Sequence, residues 1–253
     1  ASLDLFGHSV AIGNDKIVVG APGVDGSAFA FDSGAAYVYN LDGTGEVKIN
    51  PSDLFGYDRF GFAVAVGSNR IVVGAYGNVG VGAAYVYNLD GTNQVKITGS
   101  NSDTGDEFGR AVAVGANKVV IGAPTASIGS TSSGVVYVYD LDGTNEVKIT
   151  ASDAANDDSF GKSVGIGTNK IVVGAPNDDD GGSSAGAAYV YNLDGTGEVK
   201  ITASDAAASD QFGQSVAIEN DKIVVGSLFD DDDGDRSGVV YVYDLDGTNE
   251  VKI

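Results

Sequence analysis

The sequence predicts an all-β fold, a five-bladed β-propeller of four-stranded antiparallel blades with one contiguous repeat per blade. Three observations predict it. A Phe-Gly pair opens an alternating stretch five times, at Phe6, Phe60, Phe108, Phe160 and Phe212. Each copy carries four runs rich in β-branched and aromatic residues, and helical periodicity is absent throughout. Units of about 40 to 50 residues with four strands each have to bury both sheet faces against neighbours, which is how blades stack. Residues 1–253 are therefore read as a single domain, with repeats near 1–49, 50–97, 98–149, 150–201 and 202–253.

The elements follow in order. Strand A starts at each Phe-Gly and places small residues such as Ser9, Ala11 and Gly13 on one face, which suits an inner strand where blades converge. Strand B is KIVVGAP at Lys16 and its counterparts at Arg70, Lys118, Lys170 and Lys222. Strand C is GAAYVYN or GVVYVYD, beginning at Gly34, Gly82, Gly134, Gly186 and Gly238. Ten of the twelve tyrosines lie there as alternating pairs such as Tyr85 and Tyr87, with an apolar opposite face, so packing between blades is favoured over a sugar platform. Strand D is a short VKI whose lysine also guards a sheet edge. Gly-Asn-Asp and similar turns join A to B, and Leu-Asp-Gly-Thr joins C to D, both hairpin chemistry.

Composition narrows the chemistry. With no Cys and a single His, disulfides, Cys/His zinc sites and His-based triads fall away. A net charge of -21 repels phosphate backbones and anionic lipid, so neither nucleic acid nor membrane insertion is expected. No apolar run approaches the roughly 18 residues of a membrane span. The missing initiator Met suggests a piece of a longer protein or assembly.

Length variation is confined to the B-to-C loops, which with the D-to-A links form one loop-rich, acidic end. Asp178, Asp179 and Asp180 crowd the fourth such loop, and Asp230, Asp231, Asp232, Asp233 and Asp235 the fifth, with Asp25 and Asp32 in the first. The fourth- and fifth-loop clusters are candidate Ca²⁺ ligands, although solvated loops explain them at least as well. An Asp also stands two residues before every strand-A Phe: Asp4, Asp58, Asp106, Asp158 and Asp210. They form a candidate binding ring, with a local hydrogen bond that fixes the start of strand A as the favoured alternative.

The Phe-Gly opening followed by Val-Gly-Ala-Pro, intact over 6–22, 108–124 and 160–176, resembles the FG-GAP repeat of integrin α-subunit propellers and related bacterial proteins. The second and fifth copies carry GAY and GSL instead. A fainter likeness joins the LDGTxEVKITxSD phrase to repeats of marine bacterial and phage surface or structural proteins. The resemblance implies an extracellular propeller used in adhesion or ligand recognition. Family members that bind Ca²⁺ do so through an Asp-rich A-to-B loop, which here is a tight turn, so their ligand set does not carry over.

The expected function is a non-enzymatic binding or adhesion module, recognising a protein or glycan on a surface through its loop-rich acidic end. A carbohydrate-binding propeller or a structural spacer of a larger surface or virion protein is the alternative. No cofactor is required, with Ca²⁺ the one candidate ion, and the location is extracellular, cell-surface or virion-associated.

Overall fold

The computed structural model describes residues 3–26, 31–77, 80–232, 234 and 236–253. The first blade is β1 (Ser9–Gly13), β2 (Lys16–Ala21), β3 (Ala35–Asn40) and β4 (Val47–Ile49). The second is β5 (Ala63–Gly67), β6 (Arg70–Ala75), β7 (Ala83–Asn88) and β8 (Val95–Ile97), and the third β9 (Ala111–Gly115), β10 (Lys118–Ala123), β11 (Val135–Asp140) and β12 (Val147–Ile149). The fourth is β13 (Ser163–Ile166), β14 (Lys170–Ala175), β15 (Ala187–Asn192) and β16 (Val199–Ile201), and the fifth β17 (Phe212–Glu219), β18 (Lys222–Ser227), β19 (Val239–Asp244) and β20 (Val251–Lys252). Each sheet takes four consecutive strands in chain order, so no strand is exchanged between repeats and the fold is the five-bladed β-propeller expected. The chain divides into two compact units, residues 1–121 with 139–145 and residues 122–138 with 146–253.

Turn chemistry sets the hairpins. Asn14 and Asp15 both take positive φ (50° and 59°), as do Ser68 and Asn69 (48° and 57°), the backbone of a two-residue turn that matches strand twist. In the fourth blade Thr168 stands at this place, and neither it nor Asn169 has positive φ. A β-branched residue resists that region, and β13 is one residue shorter than its first three counterparts.

Strand A starts later than the Phe-Gly pair in the first four blades, which corrects the boundary read from the alternation. Gly61 shows why. Its φ is +89°, and a Cβ there would lie 2.3 Å from the Ala35 carbonyl oxygen of the preceding blade. The pair is a corner seated on the previous blade rather than the first rung of a strand. Phe60 bridges Gly34 in this way and Phe108 bridges Gly82, while in the other unit Phe212 bridges Gly186.

Within the first unit, Val18, Val38 and Ile49 of one blade share a core with Phe60, Ile71, Tyr85 and Tyr87 of the next. The second unit repeats the arrangement, with Val172, Val190 and Ile201 packed in one cluster with Phe212, Ile223, Tyr241 and Tyr243. The strand-C tyrosines therefore serve packing between blades, as their alternation indicated. Phe60 meets the Tyr85 and Tyr87 rings edge-on at 5.3 and 6.3 Å, a geometry that adds to simple burial. Phe6 departs from the expected burial: four of the strand-A phenylalanines are at most 1% exposed, but Phe6 is 58% exposed. It opens the first repeat and has no bridge to a preceding Gly among the described residues.

Candidate functional site

The acidic loops are organised around lysines. In the fourth blade Lys200, on strand β16, extends its ammonium to Asp153 Oδ2 at 2.7 Å, Asp178 Oδ2 at 2.8 Å and Asp180 Oδ2 at 2.7 Å. Asp178 and Asp180 come from the B-to-C loop, and Asp153 from the link that precedes the blade. Tyr189, facing Lys200 in the β15–β16 register, places its hydroxyl 2.7 Å from Asp178 Oδ2 and 2.9 Å from Asp153 Oδ1, its one proton serving either carboxylate. Asp178 is 3% exposed, a burial that an ionised carboxylate tolerates only with partners of this kind. Burial alone would lower the Lys200 ammonium, but hydrogen bonds to Asp153, Asp178 and Asp180 override it and hold the group above the ordinary lysine range. Asp153 shows the converse: its desolvation is outweighed by Lys200 and Tyr189, and its carboxyl sits below the usual range.

The fifth blade repeats the cluster in looser form. Lys252 reaches Asp205 Oδ2 at 2.6 Å and Asp232 Oδ2 at 2.7 Å but stands 3.6 Å from buried Asp230. The Tyr241 hydroxyl lies 2.7 Å from Asp205 and 2.9 Å from Asp230, within donating reach of either. Hydrogen bonds donated to Asp205 and Asp232 hold the Lys252 ammonium high. The second blade keeps the link half alone among the described residues, with Lys96 2.6 Å from Asp53. These lysines do more than guard an edge.

The remaining acidic candidates are engaged locally. Asp179 Oδ1 accepts the Ser184 amide at 2.7 Å, and Asp25 Oδ1 accepts the Asp32 amide at 3.1 Å. Asp231 is exposed, with its carbonyl accepting the Gly234 amide at 3.1 Å. Asp233 and Asp235 lie outside the described residues. Asp153, Asp205 and Asp53 were missed in the sequence, although the Ser-Asp pair four positions after the strand-D Ile is a legible signal in three of the links.

The aspartates before strand A turn inward to their own lead-in. Asp58 Oδ2 accepts the Phe55 amide at 2.8 Å, Asp106 Oδ2 the Asp103 amide at 2.8 Å, Asp158 Oδ2 the Ala155 amide at 2.7 Å and Asp210 Oδ2 the Ala207 amide at 2.7 Å. Their carbonyls also tie the B-to-C loop: Gly23 donates to Asp4 O, Gly77 to Asp58 O, Asn177 to Asp158 O and Phe229 to Asp210 O, at 3.1 to 3.2 Å. Burial raises the carboxyls of Asp58 and Asp210, and pushes Asp158 up to about 6. This is the geometry of the local hydrogen-bond alternative.

Asp153, Asp178 and Asp180, and likewise Asp205, Asp230 and Asp232, bring three carboxylates within 4.8 Å of one another. Hard oxygen donors suit Ca²⁺, but an ammonium already stands among them. While Lys200 stays, the fourth-blade set does not fit a divalent ion. The fifth-blade set is the more open to one, because its lysine sits farther from Asp230. Beside it, a cavity of about 410 Å³ is lined by Ser184, Ser209, Gln211, Phe229, Asp231 and Arg236. The Arg236 guanidinium lies over the Phe229 ring at 5.3 Å.

Comparison with known proteins agrees with this architecture. The family described as FG-GAP repeat matches residues 1–39, 44–87, 92–139, 144–191 and 196–243. From the second onward, the matched units begin in a C-to-D turn, so each unites a strand D with strands A to C of the next blade. That phase keeps together the link and the blade it clamps. Among solved structures, a nidogen/laminin complex is similar in fold, with a TM-score of 0.59 and 10% identity over 97% of this chain and 78% of that one. Among curated proteins nothing matches.

Proposed function

From the premise that this chain belongs to the FG-GAP repeat family, we propose that it is a non-enzymatic binding or adhesion module that recognises a protein or glycan through the acidic loops of its fourth and fifth blades. Propeller repeat domains of this kind are common in binding and adhesion proteins. The observation that carries the proposal is the cavity of about 410 Å³ at Gln211, Phe229, Asp231 and Arg236, set beside loops whose carboxylates are locked by Lys200 and Lys252. Locked loops lose little conformational freedom on binding, which leaves more of the contact energy as affinity. The lining combines a cation, a carboxylate, an amide and an aromatic ring, the mixture of an interaction surface. The proposed setting is extracellular, at a cell surface or on a virion.

No metal is required in this proposal. Ca²⁺ binds weakly at Asp230 and Asp232 by displacing Lys252, and calorimetry of the wild type against an Asp230→Asn/Asp232→Asn variant measures it. The recognition itself is tested by surface plasmon resonance against a panel of purified surface proteins and polysaccharides. Arg236→Ala and Gln211→Ala should each weaken a wild-type interaction by about tenfold, the effect of losing a charged or central contact. Retained affinity in both variants would move recognition away from these loops.

A further inference from the structure

The opposite end of the sheets, built from A-to-B and C-to-D turns, holds a second cavity of about 550 Å³ within the first compact unit. It lies where the second blade meets the Leu141–Asp142 turn of the third. One substitution sets this place apart. Four blades begin strand B with Lys, whose ammonium crosses to the last residue of strand C: Lys16 to Asn40 at 2.7 Å, Lys118 to Asp140 at 2.5 Å, Lys170 to Asn192 at 2.8 Å, and Lys222 to Asp244. The second blade has Arg70 instead.

Arg70 does not make that crossing. Its guanidinium donates to the neighbouring Asn69 carbonyl at 3.0 Å and makes no other hydrogen bond among the described residues. Asn88 Oδ1, the acceptor used in the sister blades, is left without a donor among those residues. The side chains of Asn93 and Asn117 likewise make no hydrogen bond among them, although the equivalents of Asn93, Asn145 and Asn249, each hold the last residue of strand C at 2.6 Å. Asp142 spends Oδ1 on Thr144 and keeps Oδ2 open. The cavity thus presents unused donors and unused acceptors together, around an apolar patch of Val95 and Leu141.

We infer that this cleft binds a neutral saccharide unit. Hydroxyl groups donate and accept at once, so they pair with both the guanidinium and amide N–H groups and the Asn88 and Asp142 oxygens. The C–H face of a pyranose covers an apolar patch of this kind, and the volume lies within the range of small-ligand pockets. An anionic sugar would meet Asp140, Asp142 and the chain's net charge of -21, while a cationic ligand would meet Arg70. The site is independent of the loop cavity in the fourth and fifth blades and needs no metal.

The test is saturation-transfer NMR with the methyl glycosides of glucose, galactose, mannose and N-acetylglucosamine at millimolar concentration. At least one should saturate on the wild type. Arg70→Lys, which restores the sister-blade pairing and occupies Asn88 Oδ1, should weaken that binding by about tenfold or more, the loss expected for a charged hydrogen bond. Lys170→Arg in the fourth blade and Arg236→Ala in the loop cavity should leave it unchanged. No saturation by any of the four sugars, equal binding by Arg70→Lys, or loss of binding in Arg236→Ala would each overturn the inference. Loop-end recognition is scored separately by its own variants, so the two proposals fail independently.

Discussion

Phe108 and Asp142 mark the two extremes of what a repeated residue does here. Phe108 is fully buried at a corner seated on the preceding blade, and Phe108→Ala should cost about 3–5 kcal/mol in denaturant unfolding. Asp142 lies in an exposed turn, accepting from Thr144 N at 3.0 Å and Thr144 Oγ1 at 2.6 Å, so Asp142→Ala should cost far less than the Phe108 truncation. If the turn variant proved the more damaged, the division of core from surface would be wrong. Asp158 carries a second expectation at this scale. Burial raises its carboxyl from 3.8 to about 6, so between those values the folded state holds a proton that the unfolded state has released. This term therefore stabilises the fold as pH falls through that window and is lost as pH rises through about 6. Unfolding curves from pH 7 to 4 should show a weaker acid-side gain for Asp158→Asn than for the wild type, and parallel curves would refute the assignment.

At the scale of the element, the lysine-centred clusters join three pieces of chain: strand D, the B-to-C loop and the preceding link. Lys200→Met would leave buried Asp178 facing Asp153 and Asp180 without a cation. Removing one partner of a buried pair costs about 3–5 kcal/mol, and the 22% exposure of the Lys200 side chain reduces the expectation to about 2–3 kcal/mol. The same variant gives the fourth-blade carboxylates a vacancy suited to Ca²⁺. Millimolar Ca²⁺ should therefore raise its melting temperature more than that of the wild type. Equal responses would show that lysine and Ca²⁺ do not compete.

Over the whole molecule, 35 acidic residues face 14 basic ones, and local order has to coexist with that imbalance. Strand-D lysines neutralise the densest clusters, but exposed carboxylates such as Asp42 and Asp194 make no ion pair among the described residues and serve turns through Thr44 and Thr196. Long-range repulsion among such groups is screened within about 8 Å at physiological ionic strength, whereas partly buried pairs are screened less. Thermal melts should accordingly shift upward between low salt and about 0.15 M NaCl. A downward shift would mean that the lysine clusters, rather than global repulsion, dominate the electrostatics of folding.

Much of this protein is determined locally and was readable from its residues. The strands, the hairpin turns and the blade count follow from period-two patterning and turn chemistry repeated five times, and the buried Tyr pairs follow from their alternation. Contacts between distant segments were decided only in three dimensions. Lys200 meets Asp153 across 47 positions, and nothing in a short window distinguishes that lysine from Lys48 or Lys148. The Phe-Gly corner required knowledge of the preceding blade's carbonyl, and Phe6 differs from Phe108 only in what covers it. Arg70 was visible as an exception among lysines, yet its consequence depended on where a guanidinium points relative to Asn88. Backbone preference acts over a few residues, so a repeat announces its own strands; charge pairing, burial and cavities depend on which repeats become neighbours, and only the folded chain decides that.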